Sequence, residues 1–215
     1  MTPLLYGLSQ FVCWLFFRLG FGLEIRGRKH IPRRGAFILA SNHFSYLDPP
    51  LIGTACPRRV VFMARANLFN DGLLGAYLRG VGVIPLQREG GDLSALRQAL
   101  ETLRRGQPLA IFPEGGRQLS GKLGAAKRGV GLLAMEVRVP IVPVLVRGTF
   151  QALPPGARGL RRAKIQVAFS PPISYTDVSF PGAGGPVRRR EQEQRLAEAV
   201  TLAWHRLKEE FHVHS

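Results

Sequence analysis

Acidic side chains are in short supply. Only 14 Asp and Glu stand against 30 Lys and Arg in 215 residues, leaving a formal net charge of +16. An excess of that size makes an anionic partner the expected company: a nucleic acid, an anionic lipid surface or a phosphate-bearing substrate. Lysine is scarce as well, with 5 residues against 25 arginines, and arginine is the side chain that grips phosphate in bidentate fashion. Arginine-rich coding accounts for the same excess without any partner. Cysteine is limited to Cys13 and Cys56, which excludes a disulfide framework for a chain this long and points to a reducing compartment. The 5 histidines belong to no set with metal-ligand spacing, so no metal is expected. Repeats and low-complexity tracts are absent, and 46% hydrophobic residues argue against intrinsic disorder.

Long hydrophobic runs are also missing, with one partial exception. Pro3 to Phe17 carries no charge and is rich in aromatics, among them Tyr6, Phe11, Trp14, Phe16 and Phe17. Fifteen helical residues rise about 22 Å at ~1.5 Å each, short of a hydrocarbon core of roughly 30 Å. No basic segment precedes the run and no small-residue cleavage site follows it, so a secretory signal is not expected. Three readings stand: a helix lying in a membrane interface, a helix packed on the domain, and a tilted span. The aromatics and the basic stretch Arg26, Arg28, Lys29, Arg33, Arg34 favour the first.

The remainder alternates in the manner of an α/β protein. Short apolar runs predict strands at Ala36–Ala40, Val60–Ala64, Val81–Leu86, Leu109–Phe112, Pro140–Val146 and Lys164–Phe169. Asp48-Pro49 reads as an N-cap with proline at the first helical position. Leu73–Leu78 and Lys127–Val137 are expected to be helical. Asp92 is expected to cap a helix carrying Leu93, Leu96, Leu100 and Leu103, with Gly106 ending it. Ser170–Val187 reads as a loop. Arg188–Phe211 reads as a surface helix with Leu196, Val200, Ala203, Leu207 and Phe211 on one stripe. The expected organisation is an N-terminal membrane-associating helix over 1–22, a catalytic α/β domain over 23–180, and a C-terminal loop and surface helix over 181–215.

Three clusters fall just after strands, where open α/β sheets place their sites. In the first, His43 is followed five positions later by Asp48, a spacing that lets a carboxylate fold back onto one imidazole nitrogen and leave the other free as a base. Without another motif, a loop histidine and a plain N-cap aspartate explain that pair equally well. In the second, Phe112-Pro113-Glu114-Gly115-Gly116-Arg117 combines glycines that admit a phosphate with an arginine that can hold it; a glycine turn with a solvated ion pair is the alternative. In the third, Arg88 leaves the strand around Ile84-Pro85. Lys127-Arg128, at a helix start, is a weaker candidate.

In order and spacing, four blocks resemble those of the glycerolipid acyltransferases, specifically the 1-acyl-glycerol-3-phosphate type. They are Asn42-His43-x-Ser45-x-x-Asp48, Gly82-x-Ile84-Pro85-x-x-Arg88, Phe112-Pro113-Glu114-Gly115-x-Arg117 and Val139-Pro140-Ile141-x-Pro143-Val144. The likeness runs from about Leu23 to Ile173. It implies a mainly parallel mixed α/β sheet flanked by helices, with an N-terminal membrane-associating helix. It makes His43 the general base and Asp48 its orienting partner. It assigns Arg88, Glu114, Gly115 and Arg117 to the acceptor's phosphate, and Pro140 and Pro143 to the acyl pocket. No cofactor is implied beyond an acyl-CoA or acyl carrier protein thioester as co-substrate. The implied partners are a lysophospholipid, the thioester, an anionic membrane surface and an acyl carrier protein, with no nucleic acid, at the cytoplasmic face of the cell membrane through a monotopic or single short anchor. Three positions depart from the family pattern: Gly116 and Gln118 stand where threonine and serine are usual, and Arg65 replaces a common lysine. Acyl transfer to another acceptor (another lysophospholipid, glycerol-3-phosphate or an amino-acid lipid) is the alternative within this class. A non-catalytic basic protein binding membrane or nucleic acid is the alternative outside it, though it leaves the His43/Asp48 pair unexplained.

Overall fold

A computed structural model describes residues 2–86, 93–176 and 189–213. In chain order these form α1 (Pro3–Phe21), β1 (Glu24–Arg26), β2 (Ile38–Ser41), α2 (Asp48–Ala55), β3 (Val61–Arg65), α3 (Gly72–Gly80), β4 (Ile84–Leu86), α4 (Leu93–Arg104), β5 (Leu109–Ile111), α5 (Gly129–Val137), β6 (Ile141–Arg147), α6 (Thr149–Ala152), β7 (Gln166–Phe169) and α7 (Arg189–Val213). The strands make one seven-stranded sheet in the order β1-β7-β6-β2-β5-β3-β4. Every neighbouring pair is parallel except β6 and β7, so the expected mixed, mainly parallel sheet is present. The expected cap Asp92 lies outside the described residues.

Central strands read as unbroken apolar runs because helices cover both faces of the sheet. Successive residues of β2 alternate between two cores. Ile38 joins a cluster with Leu109, Ile141, Leu145 and residues of α4, α5 and α7. Leu39 joins another with Val142, Val144, Phe17, Phe21 and residues of α2. Pro143 interrupts the ladder of β6 only where β7 ends: it lies opposite Ser170, just past β7, and its carbonyl accepts the Ser170 N–H at 2.9 Å, while proline has no N–H with which to return that bond.

The two outer layers differ in kind. Helix α7 is more than the expected surface helix: Leu196, Ala197, Val200 and Trp204 are fully buried, and the Trp204 indole N–H donates to Ala40 O in β2 at 3.0 Å. The apolar stripe was readable, but its weight in the core comes from Trp204 between two stripe positions. Helix α1 turns one face inward through Tyr6, Phe17 and Phe21 and leaves Leu4, Leu8, Phe11, Leu15 and Leu19 exposed at helical spacing on another. By length and composition it suffices to cross a membrane, with a mean hydropathy of 1.4 over its 18-residue window. It is nevertheless fastened to the domain along its length. Thr2 N donates to Gly80 O at 3.1 Å, the Tyr6 hydroxyl accepts from Val60 N at 3.2 Å, and Gln10 Nε2 donates to Gly53 O and Cys56 O at 2.9 Å each. Gln10 thereby satisfies carbonyls at the end of α2 that the helix itself leaves open.

Candidate active site

Sheet order decides which loops meet. β2 lies between β5 and β6, so the loops leaving β2 and β5 and the end of β6 converge at one edge. Asn42 locks the junction: its Nδ2 donates to Val146 O at 3.0 Å and its Oδ1 accepts from Val146 N at 2.8 Å. Residue 43 follows immediately, outside the strand, with its carbonyl accepting from Gln118 N at 2.8 Å and its own N–H donating to Glu114 Oε2 at 2.7 Å. The His43 backbone is thus held on both sides before the side chain does anything.

The imidazole of His43 stacks on the Phe112 ring, 4.0 Å between centroids and 21° between planes. Its Nδ1 lies 2.9 Å from Asp48 Oδ2, and its side chain keeps 16% exposure while that of Asp48 has 0%. Asp48 Oδ2 also accepts from the backbone N–H groups of Phe44 and Ser45, at 2.7 Å each, whereas Oδ1 is buried with no partner. Three donors on one oxygen fix the carboxylate as the acceptor. Nδ1 carries the proton toward it, and Nε2 is left with a free lone pair. The N-cap expectation for Asp48 is corrected here. Leu47 holds that place with no side-chain cap, and the Asp48 carboxylate turns back to the loop that it organises.

The Glu114 cluster also differs from the expectation. Glu114 is 5% exposed, and its second oxygen accepts from Gly124 N at 2.8 Å. Both oxygens therefore serve the backbone, one at His43 and one at Gly124, so Glu114 holds the His43 loop from within the protein. Burial pushes its carboxyl from 4.5 up to about 6, against the opposing pull of the Gly124 and His43 amides. The Gly115 N–H is also committed, donating to Phe112 O at 3.0 Å. What Gly115 supplies is space: with φ at +82, any Cβ would come 2.5 Å from Lys127 Nζ. Lys127, read only weakly from the sequence, is brought by this packing to the same turn as Arg117. The signal that could have found it is the glycine itself.

Arg117 lies 3.7 Å over the Tyr46 ring and donates through Nη2 to the Tyr46 hydroxyl at 2.9 Å. Stacked and hydrogen-bonded, its guanidinium is held without an acidic partner among the described residues. Arg88 lies outside the described residues. Tyr46 also borders an apolar cavity of about 540 Å³ between α1, α2 and α3, lined by Tyr6, Cys13, Phe62, Leu74 and Tyr77 among others. Neither Pro140 nor Pro143 lines it, so the expectation that these prolines shape an acyl pocket is not met by this cavity. Alternation along β6 directs Pro143 to the α4/α5/α7 side of the sheet, away from this cavity.

Comparison with known proteins decides the family. A family model described as Acyltransferase matches residues 22–147. The chain belongs to the acyltransferase family. Among relatives of this chain, the human 1-acyl-sn-glycerol-3-phosphate acyltransferase alpha is 31% identical over 157 residues, 72% of this chain and 56% of that protein. A chloroplastic 1-acyl-sn-glycerol-3-phosphate acyltransferase of Arabidopsis thaliana is 27% identical over 184 residues, 84% of this chain and 49% of that protein. The chain thus spans about half the length of these two relatives. The crystal structure of PlsC, a 1-acyl-sn-glycerophosphate (LPA) acyltransferase from Thermotoga maritima, superposes with a TM-score of 0.70 at 24% identity, covering 90% of this chain and 77% of that one. This likeness shows that the fold is shared.

Proposed function

We propose that this acyltransferase moves a fatty acyl chain from a thioester to the free hydroxyl of 1-acyl-glycerol-3-phosphate, forming phosphatidic acid. The observation that carries the reading is an imidazole fixed by Asp48 through Nδ1, with Nε2 open at the sheet edge near an apolar cavity. Nε2 takes the proton of the acceptor hydroxyl as its oxygen attacks the thioester carbonyl. The tetrahedral intermediate then collapses, the C–S bond breaks, and the imidazolium returns the proton to the departing thiolate. Asp48 stabilises the transient imidazolium without becoming protonated. The cavity accepts an acyl chain, and Arg117 on Tyr46 holds the acceptor's phosphate. The relatives, which are 1-acyl-sn-glycerol-3-phosphate acyltransferases, support this acceptor.

The same reading places the protein on a membrane, at its cytoplasmic face. The exposed stripe of α1 and Leu73 of α3, 89% exposed, form the apolar contact, and α1 lies in the interface with its other face on α2. The basic excess of the chain favours an anionic surface.

The test is thiol release from acyl-CoA by the purified protein, with and without 1-acyl-glycerol-3-phosphate, alongside His43→Ala. Acceptor-dependent release with phosphatidic acid as product, reduced about 10²- to 10⁴-fold in the variant, is expected for loss of a general base. Equal release by both proteins would remove His43 from the chemistry. Release only with a different acceptor would replace the substrate.

A further inference from the structure

On the α7 side of the sheet, a smaller cleft of about 180 Å³ opens at the same edge as His43, bordered by Phe44, Gly121, Arg147, Gly148, Phe150 and Lys208. No acidic residue lines it. Arg147 is half-buried, with Nη1 shielded from solvent and without a partner, and it makes no hydrogen bond or ion pair among the described residues. Its neighbour is the ring of Phe211, 5.2 Å from the guanidinium carbon. Lys208, exposed on α7, makes no ion pair among the described residues. The contrast with Arg26, which stands over the same Phe211 ring at 4.7 Å, is instructive: Arg26 is paired with Glu24. A guanidinium N–H shielded from water without an acceptor is costly unless something from outside supplies one. Arg147 with the exposed Lys208 beside it gives one acid-free cleft two cations, a site for an oxyanion.

The position of the cleft says which oxyanion. Asn42 clamps Val146, so His43 and Arg147 each lie one residue from the same pair of hydrogen bonds. Phe44 borders this cleft, while Tyr46, two residues on, borders the apolar cavity and carries Arg117. The histidine loop therefore stands between two binding regions on opposite faces of the sheet. One is apolar and has its own arginine; the other is cationic and small. Gly121 shapes the second: a Cβ there would come 2.9 Å from the Phe150 ring.

We infer that Arg147 and Lys208 hold the phosphate at the base of the thioester donor's pantetheine arm, a group common to acyl-CoA and to acyl carrier proteins. This rests on the acyl-transfer reading above. A bound donor crosses the sheet edge, with its acyl chain toward the α1/α2 side, its phosphate on the α7 side and its thioester at His43.

The test compares wild type with Lys208→Gln, an exposed position whose change leaves the core untouched. Three donors are used: acyl-CoA, S-acyl-4′-phosphopantetheine and S-acyl-pantetheine, which lacks the phosphate. The variant is expected to raise KM about tenfold for the two phosphate-bearing donors, leaving the acceptor's KM and the use of S-acyl-pantetheine unchanged. An equal loss with all three donors, or a shift in the acceptor's KM, would overturn the subsite. Calorimetric binding of coenzyme A, which needs no turnover, separates the two readings. Wild type is expected to bind it about tenfold more tightly than Lys208→Gln; equal binding sinks the subsite, while absence of transfer to any acceptor sinks only the acyl-transfer reading.

Discussion

Helices α1 and α7 lie on opposite faces of one sheet and solve opposite problems. Helix α7 buries its apolar stripe, with Trp204 fully enclosed and bonded to the central strand. Helix α1 buries Tyr6, Phe17 and Phe21 and turns Leu4, Leu8, Phe11, Leu15 and Leu19 outward. One layer closes the core, while the other is attached by a few buried rings and the Gln10 hydrogen bonds and keeps most of its apolar surface for something else. The α7 side thus closes the core, and the α1 side leaves an apolar stripe that, in the function proposed above, meets lipid.

The sharpest way to break this comparison is Trp204→Ala. It removes the largest enclosed side chain of the α7 layer and is expected to cost about 3–5 kcal/mol, measured by urea denaturation. A loss below about 1 kcal/mol would mean that α7 is an appendage after all.

The next effect lies at the sheet edge, where the histidine loop meets the core. The Glu114 carboxyl, raised from 4.5 to about 6 by burial, favours its protonated form in the folded state. Its stabilising contribution is therefore fully present below pH about 4.5 and is lost as pH rises through about 6, on the order of 2 kcal/mol in all. Glu114→Gln cannot titrate, so the stability gap between wild type and variant should change by that amount from pH 4.5 to 7. A gap that stays constant across this range would rule out burial as the cause.

The smallest expected change in stability is on α1. Phe11→Ser with Leu15→Ser should alter unfolding free energy by less than about 0.5 kcal/mol per site while weakening co-sedimentation with anionic vesicles. Substantial unfolding, or unchanged vesicle binding, would make α1 a second core helix.

How much of this was readable in the sequence varies with the range of the interaction. β2, β5 and β6 were legible because burial on both faces writes an unbroken apolar run. β1, with only Glu24, Ile25 and Arg26, carries no such run and pairs with β7 alone, so nothing local announced it. The site's residue types were legible and several of their roles were not. Asp48 looked like a helix cap because its neighbour is Pro49; only the folded loop shows three donors converging on one oxygen. Glu114 looked like a ligand for substrate, yet its two backbone partners lie 71 and 10 positions away, distances that no spacing rule reports. Asn42 was read as part of a motif, and its clamp on a residue 104 positions distant exists only because β2 and β6 are neighbours.

Tyr46 is one residue with two duties, since its ring carries Arg117 and the same side chain borders the apolar cavity. Under the acyl-transfer reading, the greasy and the anionic ends of a lipid are judged through a single shared surface. Selectivity for tail and selectivity for head therefore cannot be tuned separately at this position: a swap made to admit a bulkier chain also loosens the grip on phosphate.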